Sequence, residues 1–368
     1  MFETLPPEVL EKIFRSSTPK DVKNVACCSR SCHNALRHLL WKYVVIPYPS
    51  TDLTTDTACQ KLFHNLKYTQ KLRLGQIRGL DEADGQDMLA KGFNFGFHYA
   101  RILSHCNPVK VKGIVLANMA PEAILYAGSL FKNVKTVAFG KCNLNDAAVK
   151  EILGVESLRT LGVVSCSNVT DVTIQRIGEA TQLTDVTFHE DVGVPNVYNF
   201  EPFAKLTRVR SLTITSCCIQ DTDLMLLCQS LIKLETLDLE ESTFSDKGLT
   251  QIHMLGALKE LNLERCPGVS GHSLANISKL ASLQKFKFSA DMFINEVEYS
   301  PSSGSEDVRD MLGGLMGMST ICELGVVGEH DHHGKYVNSV VRVLCREDKW
   351  SVRVTQNGDF DRYILTSR

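Results

Sequence analysis

No apolar run in the 368 residues reaches the length of a membrane span, so no bilayer-crossing helix is expected. Neither charge dominates: 40 Lys and Arg stand against 42 Asp and Glu, a formal net charge of −2. A global basic field that would gather nucleic acid or an anionic membrane is missing, and neither is expected as a partner. The leading stretch MFETLPPEVLEKIF has no basic n-region and no continuous apolar segment, so no secretory signal is read there. Cysteine is plentiful, at 13, but the number is odd, the chain is long and no signal peptide precedes it. A disulfide framework is therefore not expected. Reduced thiols acting as small hydrophobes, in the cytoplasm and/or the nucleus, fit better. Disorder on the scale of the chain is also excluded, because 43% of residues are hydrophobic and 22% charged.

What is present is repetition. Segments in one register begin VKTVAFGKCNL at Val134, LRTLGVVSCSN at Leu158, LTDVTFHEDVG at Leu183 and VRSLTITSCCI at Val209. They continue with LETLDLEESTF at Leu234, LKELNLERCPG at Leu258 and LQKFKFSADMF at Leu283. The steps are 24, 25, 26, 25, 24 and 25 residues, a period that marks stacked structural units. Each segment alternates like a strand, with Leu237 and Leu239 on one side. Its second half changes period: Leu224, Leu227 and Leu231, then Leu249, Ile252 and Leu255, then Leu274, Ile277 and Leu280 describe a helical face. Asp146, Thr170, Asp171, Asp221, Asp246 and Ser270 stand where helix N-caps or first turns accept from free N–H groups. Each unit therefore reads as strand, tight turn and helix.

The pattern L-x-x-L-x-L-x-x-C resembles the leucine-rich repeat in its cysteine-containing subtype, with Cys142, Cys166, Cys217 and Cys266 at the family's Cys/Asn position. Weaker units begin at Thr69, Val111 and Ile321. The resemblance spans residues 69–345, about ten repeats, with insertions near 80–108 and 292–318. It implies an α/β solenoid curved so that parallel strands line a concave face and helices the convex one. One unit cannot bury its apolar stripe alone, and stacking buries it continuously. Residues 346–368 alternate around Asn357-Gly358, a hairpin signal, and are expected as a C-terminal β-hairpin cap.

Residues 1–45 do not fit the repeat. Pro6, Pro7 and Glu8 suit a helix start, TPKD opens a second helix, and Ala35 to Trp41 a third. Three helices in about forty residues bury too little to be secure alone. This stretch resembles the F-box. It has Leu5-Pro6, Glu8, Ile13-Phe14, Pro19 to Asp21, Cys27-Cys28 and Leu40-Trp41 in the family's order. It departs at Ser17, Ser31 and Cys32, where an apolar residue and an aromatic are usual. The resemblance implies docking of a Skp-type adaptor, and through it a cullin, with Leu5, Pro6, Pro7, Ile13, Phe14, Val22 and Val25 forming or supporting the docking face. Residues 46–68 are read as a linker or solenoid N-cap. A helical cap without a partner is the competing account.

Together these resemblances imply the substrate-recognition subunit of a Skp–cullin–F-box ubiquitin ligase. Such a subunit raises the local concentration of a target lysine near ubiquitin held elsewhere, and needs no catalytic residue or cofactor. The alternative is a repeat-protein interaction scaffold with no link to ubiquitin. Substrate contacts are expected on concave strand positions: Thr213, Thr215, Asp238, Glu240, Glu260, Asn262 and Glu264, beside Lys285 and Lys287, with His189, Glu190 and Asp191 earlier. A solvated face without a partner is the competing reading. His330, Asp331, His332 and His333 hold metal-ligand types but lack helical spacing and a fourth ligand, so a solvated turn is expected. CCSRSCH lacks zinc-knuckle spacing, and GLMGMS lacks a phosphate-loop pattern.

Overall fold

A computed structural model describes residues 30–46, 63–74, 102–191, 197–293, 312–329, 340–341, 344, 350–357 and 360–367. The chain divides into two compact units, Met1–Val169 and Thr170–Arg368. The expected adaptor-docking residues Leu5, Pro6, Pro7, Ile13, Phe14, Val22 and Val25 lie outside the described residues, as do His330 to His333 and Gly358.

In the first unit, helix α1 (Arg30–Leu40) leads into strand β1 (Tyr43–Ile46). Strands β2 (Lys71–Leu74), β3 (Gly113–Ala117), β4 (Thr136–Gly140) and β5 (Thr160–Val164) follow, each parallel to the one before. Parallel pairing thus begins at Tyr43, ahead of the first expected repeat. The β-branched run Val44-Val45-Ile46 favours a strand there. Helices α2 (Pro121–Leu130) and α3 (Asp146–Leu153) occupy the second halves of two repeats. Pro121 suits the first turn of α2, where an N–H would have no helical partner.

The second unit contains α4 (Asp171–Glu179), β6 (Asp185–His189), β7 (Ser211–Thr215), α5 (Asp221–Ser230), β8 (Thr236–Asp238), β9 (Glu260–Leu263), α6 (Leu274–Ile277), β10 (Lys285–Ser289) and β11 (Glu323–Glu329). Strands β6 to β11 are parallel neighbours in sequence order. Then polarity reverses. Strand β13 (Phe360–Ser367) pairs antiparallel with β11, and β12 (Trp350–Asn357) pairs antiparallel with β13 on its far side.

Several repeats replace the expected helix with a 3₁₀ turn: Glu201–Lys205, Gly248–Met254 and Gly271–Ser273. Spacing separates two of the repeats, although Leu274 and Ile277, also three apart, lie in the α-helix α6. Leu249, Ile252 and Leu255 recur at three and three, the period of a 3₁₀ helix, whereas Leu224, Leu227 and Leu231 recur at three and four and lie along the α-helix α5 and its end. A short turn carries fewer side chains. In the repeat at Leu183 aromatic volume fills the space, with Phe188, Phe200 and Phe203 fully buried and packed edge-to-face around Tyr198.

The acids expected to cap their own helices mostly bond sideways. Asp171 accepts from the Asn199 N–H (3.0 Å), Asp221 from the Ser245 N–H and hydroxyl (2.8 and 2.6 Å), and Asp246 from the Ser270 N–H and hydroxyl (2.9 and 2.6 Å). Asp171 and Asp221 are the first residues of their helices, and each carboxylate reaches the loop of the following layer. In α3 the cap is Asn145, whose Oδ1 accepts from the Ala148 N–H at 2.8 Å, rather than Asp146.

Six strands, β3, β4, β5, β7, β8 and β9, end on a shared device. Asn118, Lys141, Ser165, Ser216, Glu241 and Arg265 all hold φ between 51° and 60°, and none is glycine. Each stands one residue before the repeat's buried polarisable group. The left-handed residue breaks strand alternation, so the side chain that follows it turns into the core. That next residue is Cys142, Cys166, Cys217 or Cys266, all buried free thiols. Cys142 shows the geometry: its sulfur accepts from the Met119 N–H (3.4 Å) and donates to the Leu116 carbonyl (3.3 Å). Burial pushes the Cys217 and Cys266 thiols up to about 12, so they stay protonated donors. In the repeat at Leu234 this place belongs to Ser242, fully buried, which accepts from the Cys217 N–H (3.2 Å) and donates to the Ile214 carbonyl (3.0 Å).

Substitutions at two positions test these devices. Lys141→Gly should leave stability unchanged or raise it, while Lys141→Val should lower it by about 1–2 kcal/mol, read as the shift in urea midpoint. Ser242→Cys should be tolerated, whereas Ser242→Ala strands the buried Cys217 N–H and should cost about 1–3 kcal/mol in the same measurement.

Candidate interaction face

Strand alternation divides the sheet of the second unit. Leu212, Ile214, Leu237, Leu261, Leu263, Phe286 and Phe288 are buried, and the alternating positions form the opposite, open face. Register brings Thr187, Thr213, Asp238, Asn262, Lys287 and Gly325 into one row across β6 to β11. A second row runs Asp185, Ser211, Thr236, Glu260, Lys285 and Glu323. At the far ends of the strands His189 meets Thr215, Nδ1 to Oγ1 at 2.9 Å. Register thus places Thr213, Thr215, Asp238, Glu260, Asn262, Lys285 and Lys287 of the nine expected contact residues on one face, and Glu240 and Glu264 follow the ends of β8 and β9.

They are not equally available. Glu264 is 1% exposed and is paired by Arg362, a residue of β13. Its other oxygen, Oε1, is buried with no hydrogen-bond partner. Burial holds the Glu264 carboxyl above the usual carboxylate range while the Arg362 charge pulls it back. Asn262 is buried as well, donating to Glu240 Oε2 (3.2 Å) and accepting from the Glu264 N–H (3.0 Å). These two residues support the face more than they present it. Glu190, expected beside His189 and Asp191, falls at a buried position instead and accepts from the Tyr198 hydroxyl at 2.9 Å.

Sequence reasoning missed three participants. Arg265 pairs with Glu240 and with Glu241 (3.0 Å), and Glu241 also accepts from the Ser216 hydroxyl (2.9 Å). Arg265 and Glu241 are left-handed residues whose exposure follows from that backbone turn, which the spacing before Cys266 and Ser242 could have signalled. Arg362 has no local signal, since its contact lies 98 residues away. The acids of the strip thus have internal cations: Glu240 has Arg265, Glu264 has Arg362, and Glu260 has Lys285 at 2.9 Å. Half-exposed Asp238 accepts from the Glu240 N–H (3.1 Å), and burial still raises its carboxyl above the usual range. No group of three or more His, Cys, Asp or Glu is placed to hold a metal among the described residues, and no helix among them is long and apolar enough to cross a membrane.

An F-box-like family model matches residues 2–47, so the chain carries an F-box-like domain at its N-terminus ahead of a repeat-type parallel sheet. No curated protein sequence matches. Among solved structures the chain is similar to one described as "Crystal structure of TLR13-ssRNA13 complex", at 11% identity and a TM-score of 0.39. That match covers 62% of this chain, and the chain spans 37% of the length of that one.

Because burial raises the Asp238 carboxyl, the folded state binds its proton more tightly than the unfolded state does. Its ionisation therefore costs stability, absent below the ordinary value near 4 and fully present once pH has risen through the raised folded value. Asp238→Asn keeps the acceptor for the Glu240 N–H and removes that cost. It should gain stability at pH 7.5, with the gain fading as pH falls toward 4, read by urea denaturation across pH.

Proposed function

We propose that this chain is the substrate-recognition subunit of a Skp–cullin–F-box type ubiquitin ligase. The observation that carries the reading is an F-box-like domain over residues 2–47 placed ahead of stacked strand repeats. F-box domains bind Skp-type adaptors, and in this chain Leu5, Pro6, Pro7, Ile13, Phe14, Val22 and Val25 form or support that docking face. The adaptor links to a cullin, and the open sheet face holds the target protein. The cysteine-containing leucine-rich repeat supplies the frame, and the antiparallel pair β12–β13 closes its C-terminal side.

The chain acts without a catalytic group of its own. Its part is to convert a bimolecular encounter between target lysine and activated ubiquitin into one at high effective concentration. Four of the described thiols suit this non-catalytic reading: Cys106, Cys217, Cys228 and Cys266 are buried, and burial pushes each up to about 12, far from a reactive thiolate, whereas the hydrogen bond with Cys166 lowers Cys142 and Cys322 is exposed. The same free thiols favour the reducing cytoplasm or nucleus as its place of work.

The decisive measurement is size-exclusion chromatography of the full chain mixed with a purified Skp adaptor. Co-elution is expected, and deletion of residues 5–41 or the pair Ile13→Asp and Phe14→Asp should abolish it, with the urea transition of the repeats retained. A full chain that elutes alone would instead make the protein an interaction scaffold outside the ubiquitin pathway.

A further inference from the structure

The near-zero net charge conceals an uneven distribution. Residues 1–169 hold 21 Lys and Arg against 14 Asp and Glu, while residues 170–368 hold 19 against 28. The expectation of no basic field therefore holds for the chain as a whole and not for its first unit. Much of that excess falls on one line. The residue before each strand is joined to its neighbour through the main chain: the Lys112 N–H donates to the Gln70 carbonyl (2.7 Å), Lys135 to Lys112 (2.8 Å) and Arg159 to Lys135 (2.8 Å). Lys112, Lys135 and Arg159 thus stand on adjacent strands, all exposed, about 5 Å apart. Exposed Lys71, the first residue of β2, joins them. Its stem leans toward β3, with Cγ 3.5 Å from where a Cβ on Gly113 would lie.

The second unit shows how the same position is built when it has no such charge. There the line reads Thr184, Arg210, Glu235, Lys259 and Gln284. Glu235 neutralises both of its neighbours, pairing with Arg210 and with Lys259 (2.6 Å). In the first unit no acid interrupts the line. Lys71, Lys112 and Lys135 have no ion pair or side-chain hydrogen bond among the described residues. With their main chains about 5 Å apart, one anionic segment can meet several of these cations at once.

The open face beside this line is low. Over β3 to β5 its half-exposed positions are Val115, Thr136, Ala138, Thr160 and Val164, with Gly113, Ala117, Gly140 and Gly162 buried between them. A Cβ on Gly162 would come within 3.1 Å of the Ala138 Cβ, so the centre of the face is as flat as side chains allow. The half-exposed side chains that remain, Thr136, Ala138 and Thr160 among them, are small and leave room for an extended main chain across them. The floor has no aromatic ring on which a base could stack, which argues against single-stranded nucleic acid.

We propose that the sheet face of the first unit, with Lys71, Lys112, Lys135 and Arg159 as its rim and Thr136, Ala138 and Thr160 as its floor, docks an extended acidic polypeptide segment. The rim spans about 14 Å from β2 to β5, the length over which an extended chain places carboxylates at positions i, i+2 and i+4. Peptide main chain lies over the small residues, and alternate acidic side chains reach the lysines. This surface lies on residues other than the expected acidic strip of the second unit. It does not depend on the ubiquitin reading, since its readout is direct binding.

The test uses the full chain and a fluorescein-labelled nine-residue peptide with Glu at alternate positions separated by Ser and Val, followed by anisotropy at several salt concentrations. Lys112→Glu with Lys135→Glu should weaken binding at least tenfold, and the two Lys→Arg changes should keep it within twofold. Ala138→Leu, which raises the floor without altering charge, should weaken binding at least threefold with the salt dependence unchanged. Lys285→Glu in the second unit should have no effect. Circular dichroism melts check that each variant is folded. Binding that survives the double charge reversal, or that ignores Ala138→Leu, overturns the proposal. So does an oligothymidylate of equal charge that binds more tightly than the peptide. Adaptor co-elution is expected to be unchanged in every variant, so failure here and failure of the ligase reading are told apart.

Discussion

One main-chain carbonyl per layer sets the register of everything else. The carbonyl before each strand accepts from two successive N–H groups of the next layer, as Lys112 does from Lys135 and Thr136 (2.8 and 3.1 Å) and Glu235 from Lys259 and Glu260 (2.8 and 3.0 Å). This fixes which residues share a row on the open face. It also fixes which leucines meet underneath, because a slip of one residue would turn every core side chain outward. Side-chain bonds between layers then follow the same step. Asp221 to Ser245 and Asp246 to Ser270 each span 24 residues. Stability is thus a sum over neighbouring interfaces, and a defect in one layer is felt mainly by the two beside it.

The sequence made the strands, their period and their buried faces legible because period and alternation are local. Leu237, Leu261, Phe286 and Phe288 are buried as alternation predicts. The thiol positions were legible too, since they recur. The second halves were less so. A stripe every three residues at Leu249, Ile252 and Leu255 resembles one side of an α-helix, yet three is the 3₁₀ period. Ser242 was invisible as a core residue because a hydroxyl reads as surface until its two buried partners are known.

The face itself was legible as a set of positions and not as chemistry. Alternation places Thr213, Asp238, Asn262 and Lys287 together, and register confirms the row. Whether an acid there meets solvent depends on residues far off in sequence. Glu264 looks like a surface carboxylate in LNLER, yet Arg362 and the neighbouring strands bury it. Charge behaves in the same way. The excess of cations in the first unit cancels in a whole-chain total, and only strand pairing shows that Lys112, Lys135 and Arg159 stand side by side. The two units therefore present different surfaces: Glu240, Glu260 and Glu264 of the second are paired internally, while Lys71, Lys112 and Lys135 of the first have no ion pair among the described residues.

Strand order at the C-terminal side, β11 then β13 then β12, has a bearing on how such a chain can lengthen. A parallel strand is a template on which a copy of itself fits, so duplicating a stretch of about 25 residues between β6 and β10 adds a layer that docks in the established polarity. The reversed strand against β11 offers the opposite polarity and stops that growth. Extra layers inherited by duplication must therefore enter upstream of Glu323.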